Sequence, residues 1–325
     1  MASVYPLRFV PVYQNYIWGG RRLETVLGRQ LGGDGVYAES WDVADHDHGQ
    51  SVVEAGPLAG TSLRQLTADH GEALFGKHDP QTPFPLLLKF LDACRNLSVQ
   101  VHPDDETAKR MGLSDPGKTE AWLIVEAEPG SKLWAGFNFP MDRELLDNSL
   151  QNGDLEQYLH VIEPKAGDCI FIPAGTVHAL GAGLLVAEIQ QTSDNTFRLF
   201  DWNRLGDDGK PRQLHIEESL EATDYGRGPV GPCQAKPTDT PGRERLVECP
   251  QFVLDRWRID KEVSVGGDGR FHILTLIEGT ATASGDPAER PLVRGETILL
   301  PAECEAVELT TPAGTSAVVM DTFLP

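Results

Sequence analysis

One stretch of this chain occurs twice. Gly167-Asp-Cys-Ile-Phe-Ile-Pro-Ala-Gly-Thr-Val-His178 aligns with Gly295-Glu-Thr-Ile-Leu-Leu-Pro-Ala-Glu-Cys-Glu-Ala306. Both copies read glycine, acidic residue, a short apolar run, then Pro-Ala. The glycine permits a tight turn, and the proline ends the strand because it has no N–H for a ladder. A repeated strand–turn unit predicts a duplicated β architecture. The copies differ where chemistry would sit: Glu303 replaces Gly175, and Ala306 replaces His178. Only the first copy can offer an imidazole just beyond its strand.

The rest of the chain has the same grain. Pro85-Leu-Leu-Leu-Lys-Phe-Leu91, Leu184-Leu-Val-Ala-Glu-Ile-Gln190, Phe271-His-Ile-Leu-Thr-Leu-Ile277 and Glu296-Thr-Ile-Leu-Leu300 are short apolar runs set off by Gly, Pro and Asp. Their length and flanks predict strands. Helices are expected from Thr61 or Ser62 to Thr67, over Asp142–Gln151, over Asp154–His160 and from His215 to Ala222. The Gly- and Pro-rich segment 226–243 reads as a linker. The expected fold is therefore mostly β: two β-barrels with a few short helices, the first metal-binding and the second degenerate. The expected domains are 1–240, catalytic, and 241–325.

Composition narrows the partners. The chain has 325 residues, enough for two cores, and carries 28 basic against 49 acidic side chains, a net charge of −21. That balance argues against nucleic acid and anionic membranes. An anionic substrate would need a local basic pocket. The five cysteines contain no CxxC pair and are odd in number, which suits a reducing compartment. Met1-Ala-Ser-Val-Tyr-Pro6 has no signal-peptide pattern, and no apolar run is long enough to span a bilayer. The chain reads as cytoplasmic.

Gln100, His102, Glu120 and His178 are the candidate metal ligands. In Leu97-Ser-Val-Gln-Val-His102 apolar and polar residues alternate, so Ser98, Gln100 and His102 share a face. Glu120 opens the run Ala121-Trp-Leu-Ile-Val125. Two imidazoles, a carboxylate and an amide oxygen suit a divalent ion with one position left for substrate. A lone strand glutamine is more often a hydrogen-bonding interior residue, so Gln100 ranks last of the four. Asp45-His-Asp-His48 has metal-like composition but reads as a solvated loop. Phe197-Arg-Leu-Phe-Asp-Trp-Asn-Arg204, if extended, projects Arg198 and Arg204 to one side.

The Gly167–His178 spacing resembles the cupin family, although Ala182 stands where many cupins have asparagine. Further motifs occur in order: Tyr16-Ile-Trp-Gly-Gly-Arg, Glu39-Ser-Trp41, Lys89-Phe-Leu-Asp-Ala, Ser98-Val-Gln-Val-His-Pro-Asp-Asp105, Gly117-Lys-Thr-Glu-Ala-Trp122 and Glu188-Ile-Gln-Gln-Thr-Ser-Asp-Asn-Thr-Phe-Arg198. Together they resemble the type I phosphomannose isomerases, most closely the short bacterial form. The resemblance implies one zinc ion per chain, held by Gln100, His102, Glu120 and His178, with Arg198 catalytic. It implies interconversion of D-mannose 6-phosphate and D-fructose 6-phosphate through an enediolate. Lys118, Glu188 and Lys89 are the candidates for moving the proton, with Arg204 and Ser98 on the substrate. Two other readings stay open: a non-haem iron oxygenase, since two histidines and a carboxylate also hold iron, and a non-catalytic sugar-binding cupin.

Overall fold

The apolar runs form strands that pair antiparallel. The computed structural model of the chain describes residues 4–206 and 209–325; residues 1–3, part of the N-terminal reading, lie outside it. One six-stranded sheet runs in the order Cys169–Ile172, Glu120–Ala127, Leu184–Gln191, Leu86–Ala93, Glu39–Val43, Val12–Gln14. A five-stranded sheet faces it: Leu159–Ile162, Leu133–Phe137, His178–Leu180, Val99–Val101, Phe197–Phe200. Between them Leu91, Trp122, Ile124 and Val186 of the first sheet meet Leu133, Ala135 and Leu180 of the second.

The C-terminal half repeats this plan. Lys236–Pro237, Arg243–Glu248, Val253–Ile259, Ala317–Phe323, His272–Glu278 and Thr297–Leu300 form a six-stranded sheet. Four further strands face it across a core containing Trp257, Leu274, Val319 and Leu309. The two large sheets then pack back to back, joining Leu88, Leu123 and Ile189 to Leu254, Ile273 and Met320. Leu86–Ala93 is thus buried on both faces along its whole length. That explains why it reads as a continuous apolar run and not as an alternation. The N-terminal segment ties the halves together: Arg8 reaches Asp286 at 2.6 Å and Glu296 at 3.0 Å.

The internal echo is a true structural repeat. Gly167 and Gly295 both sit at positive φ, 87° and 85°, and open equivalent strands. Ile172 lies opposite Glu120, and Leu300 lies opposite His272. Likewise Trp122 lies opposite Glu188, and Leu274 opposite Asp321. His272 and Asp321 therefore occupy the places of Glu120 and Glu188. Instead of an open ligand set they form a closed ion network. His272 Nδ1 lies 2.8 Å from Asp321 Oδ1, its Nε2 lies 3.3 Å from Asp268, and Arg243 and Arg245 hold the neighbouring Asp255.

This network gives the C-terminal half a pH-dependent stability. Burial alone would lower the His272 pKa, but the charge of Asp321 and the hydrogen bonds the ring donates to Asp268 and Asp321 raise it to about 9. An unfolded histidine titrates near ~6.5. The imidazolium thus contributes stability that is fully present below about pH 6.5 and is lost as pH rises through about 9. The contribution is on the order of 3 kcal/mol. Urea unfolding at pH 6 and pH 9.5 should show His272→Gln losing most of the stability difference that the wild type displays. An equal pH dependence in both proteins would refute this.

Helix starts follow their caps. Ser62 accepts from Gln65 N ahead of Leu63–Asp69, and Asp142 accepts from Leu145 N ahead of Arg143–Asn152. Ile216–Ala222 is also helical. Three expectations need correction. Asp154–His160 is only a 3-10 turn over Leu155–Tyr158, and the chain then enters the strand Leu159–Ile162, because Leu159 and Ile162 have a core to fill. Asp45–His48 is a solvated turn only at Asp47 and His48: Asp45 and His46 are buried, and Asp45 accepts from Phe84 N and Gln50 and pairs with Arg64. Segment 226–243 is not a free linker, since Val230 N bonds to Ala135 O and Cys233 N to Cys169 O. No helix among the described residues is long and apolar enough to cross a membrane.

Candidate metal centre and substrate cavity

Two rows of side chains, one on each facing sheet, build the site. Across the five-stranded sheet His178 lies opposite Gln100, and Gln100 opposite Arg198. Across the six-stranded sheet Trp122, Glu188, Lys89 and Trp41 stand in register, with Glu120 at the strand end. Cross-strand neighbours come within reach of each other on one face, so register alone assembles both rows. His102 lies just past Val99–Val101, where its carbonyl accepts from Gly175 N at 2.8 Å. Gly175 has φ 84°, and a Cβ there would sit 2.8 Å from that of Asp224, so glycine is required.

His102, Glu120 and His178 converge in full burial, their ligand atoms within 4.8 Å of one another. His102 Nε2 is 3.5 Å and His178 Nε2 3.3 Å from the Glu120 carboxylate. Each Nδ1 is taken by a backbone carbonyl, that of Asn195 for His102 and that of Thr176 for His178, both at 2.8 Å. Those bonds place the proton on Nδ1 and aim an Nε2 lone pair at the carboxylate. Among the described residues, His102 Nε2 and Glu120 Oε1 have no hydrogen-bond partner although buried, and Glu120 Oε2 meets the Lys118 ammonium at 3.4 Å. Buried polar atoms are rarely left so, and a divalent cation would satisfy all of them. Burial lowers His178 to about 4 and, with the Lys118 charge, holds His102 well below its ordinary value. Both rings are thus neutral and fit to ligate. Gln100 turns its Nε2 to His178 Nε2 at 3.3 Å and receives the Ser98 hydroxyl on Oε1. A half-turn of the amide would present the oxygen instead.

Above the cluster lies a cavity of about 310 Å³ lined by Gln100, Lys118, Glu188, Lys89, Ser98 and Arg198, among others. Lys118 Nζ reaches Glu120 at 3.4 Å. Lys89 Nζ lies between Glu188 at 3.2 Å and Glu39 at 3.4 Å. Burial would raise the Glu188 pKa, but the charges of Lys89 and Lys118 and hydrogen bonds from Lys89 and Trp122 lower it instead. Lys89 is raised in turn, the charges of Glu188 and Glu39 outweighing its burial. Arg198 donates to Ser98 Oγ at 3.2 Å and to Gln213 O at 2.8 Å.

Arg204 is not where an extended strand would put it. Phe197–Phe200 ends, and Trp202 and Asn203 turn back at φ 55° and 53°. Arg204 then binds Asn96 O and Asp201 and does not line the cavity. Arg212 lines it instead, held by Asp201 at 2.6 Å. Arg212, Glu39 and Asp194 are among the cavity groups that reading the motifs did not single out as site residues. Arg212 sits in an irregular segment with no periodicity to mark it. Glu39 was visible only as part of a motif, with no role attached.

Two family models match this chain. "Phosphomannose isomerase type I, catalytic domain" covers residues 7–121, and "Mannose-6-phosphate isomerase, cupin domain" covers 243–320. A mannose-6-phosphate isomerase of Bacillus subtilis is 35% identical over 304 residues, 91% of this chain and 93% of its own. One from Streptococcus mutans is 35% identical over 289 residues, 88% and 89% of the two chains. The crystal structure of the mannose 6-phosphate isomerase from Bacillus subtilis superposes with a TM-score of 0.89 at 30% identity, covering 98% of this chain and 99% of that one.

Proposed function

The chain belongs to the type I phosphomannose isomerases, and from that premise we propose that it interconverts D-mannose 6-phosphate and D-fructose 6-phosphate using one zinc ion per chain. The observation that carries the metal assignment is the set of buried, unpartnered His102 and Glu120 atoms beneath the cavity. His102, Glu120 and His178 would hold the ion, with Gln100 as fourth ligand after its amide turns. When bound, zinc supplies a Lewis acid against the charge that develops at O1 and O2 as the proton leaves C2.

The chain's own residues do the rest. Glu188 takes the proton from C2 and returns it to C1 across an enediolate. What supports this role is its place in the cavity wall and its lowered pKa, which keeps the carboxylate ionised beside Lys89. Lys89 keeps Glu188 ionised, and Lys118 holds Glu120. Arg198 steadies the enediolate, and Arg212 with Ser98 receives the phosphate. Arg204 supports Asp201, which positions Arg212. The catalytic unit of this proposal is 1–240, with 241–325 as a degenerate cupin partner. The enzyme acts in the cytoplasm, in keeping with its five free cysteines. Family membership sets aside the oxygenase and the non-catalytic readings.

Purified protein should convert mannose 6-phosphate to fructose 6-phosphate in a coupled dehydrogenase assay. Dialysis against a chelator should abolish turnover, and zinc should restore it. Zinc-loaded protein without turnover, or full activity in metal-free protein, would overturn the assignment.

A further inference from the structure

We propose that Cys169 and Cys233 form a disulfide when the protein meets hydrogen peroxide, stapling the segment between the two halves to the metal-binding half. Cys169 begins an edge strand of the six-stranded sheet, and the chain returns past that edge far downstream. Ile170 and Pro232 form an antiparallel bridge, and Cys233 N donates to Cys169 O at 2.7 Å. The two cysteines therefore oppose one another, one position along from the bridge. Opposed residues in such a pairing carry their side chains on one face with Cα atoms about 5.5 Å apart. That separation lies inside the window a disulfide requires, roughly 4.4–6.8 Å.

The surroundings divide the roles. Cys169 is buried in the core shared by the halves, and Cys233 packs against that core while remaining partly exposed. The Cys169 thiol donates toward Cys233 and lowers its pKa, which favours a thiolate on the accessible partner. The Cys233 thiolate attacks one oxygen of the peroxide, giving a sulfenic acid and releasing the other oxygen, with a proton, as water. The Cys169 sulfur then attacks the sulfenic sulfur, and the displaced hydroxyl leaves as a second water with the Cys169 proton. Two thiols and one peroxide give one disulfide and two waters. The bond closes a long loop, which restricts the unfolded chain.

The experiment treats the reduced, metal-loaded enzyme with hydrogen peroxide, digests it without reductant and maps linked peptides by mass spectrometry. A Cys169–Cys233 peptide pair lighter by two hydrogens is expected, reversible by dithiothreitol. The thermal midpoint of the oxidised enzyme should rise by about 5 °C. Cys233→Ser should lose both the linked pair and the rise, whereas replacement of the exposed Cys94 by serine should keep both. Oxidation that stops at a sulfinic acid on Cys233, or that links chains through Cys94 without the pair, would overturn the proposal. A rise that persists in Cys233→Ser would do the same.

Discussion

His178→Ala should yield a folded protein that holds no zinc after gel filtration and whose kcat/KM falls by about 10^3 or more. The imidazole is fully buried, its Nδ1 held by Thr176 O and its Nε2 3.3 Å from Glu120, so the substitution removes one ligand from the set. Losing a Lewis acid that supplies several kcal/mol of stabilisation accounts for a fall of that size. Elemental analysis and the coupled assay read the two losses together. His178→Gln, which fills the space, guards against mere collapse of the cavity. Retained metal with lost activity would show that the ion sits elsewhere. The same centre has a pH signature. Burial, then the charge of Glu188, raises Glu120 in the metal-free protein to about 8. Below that pH the ion must displace a proton, so zinc affinity should climb with pH and level off above about 8.

Glu188→Gln should retain zinc and lose roughly 10^2- to 10^4-fold in kcat, the range expected when a general base is removed. The substitution is nearly isosteric and keeps an acceptor for Trp122 Nε1, so the strand pairing has no reason to move. It does leave Lys89 with Glu39, at 3.4 Å, as its remaining carboxylate partner among the described residues. Exchange of the C2 hydrogen with solvent deuterium, followed by NMR, separates this role from a structural one. A structural role alone would slow exchange and turnover by the same small factor. Wild-type exchange in Glu188→Gln would assign the proton to another group, with Lys118 next in place.

Much of this was legible before any fold was known. The runs around Lys89, Glu120 and Glu188 are long, apolar and bounded by turn residues, and each became a strand. Segments whose conformation depends on distant partners were not. Asp154–His160 has helical composition, yet the core draws Leu159 and Ile162 into a strand. Asp45-His-Asp-His48 is polar enough for solvent, but Phe84 N and Arg64 satisfy Asp45 inside the protein. The run from Phe197 to Arg204 alternates like a strand until the backbone turns at Trp202. Local propensity is a weak prior wherever tertiary contacts supply the partners.

The chain itself determined the strand periods, the duplicated turn and the identity of its buried donors, because these depend on neighbours in sequence and on intrinsic chemistry. Only the tertiary structure decided that Arg212 and not Arg204 faces the cavity. It also decided that both Nδ1 protons are spoken for, and that His272 and Asp321 fill the second copy of the site with a closed ion network. The reason is register: pairing between strands far apart in sequence sets which side chains share a face, and residue spacing within one strand carries no record of its partner.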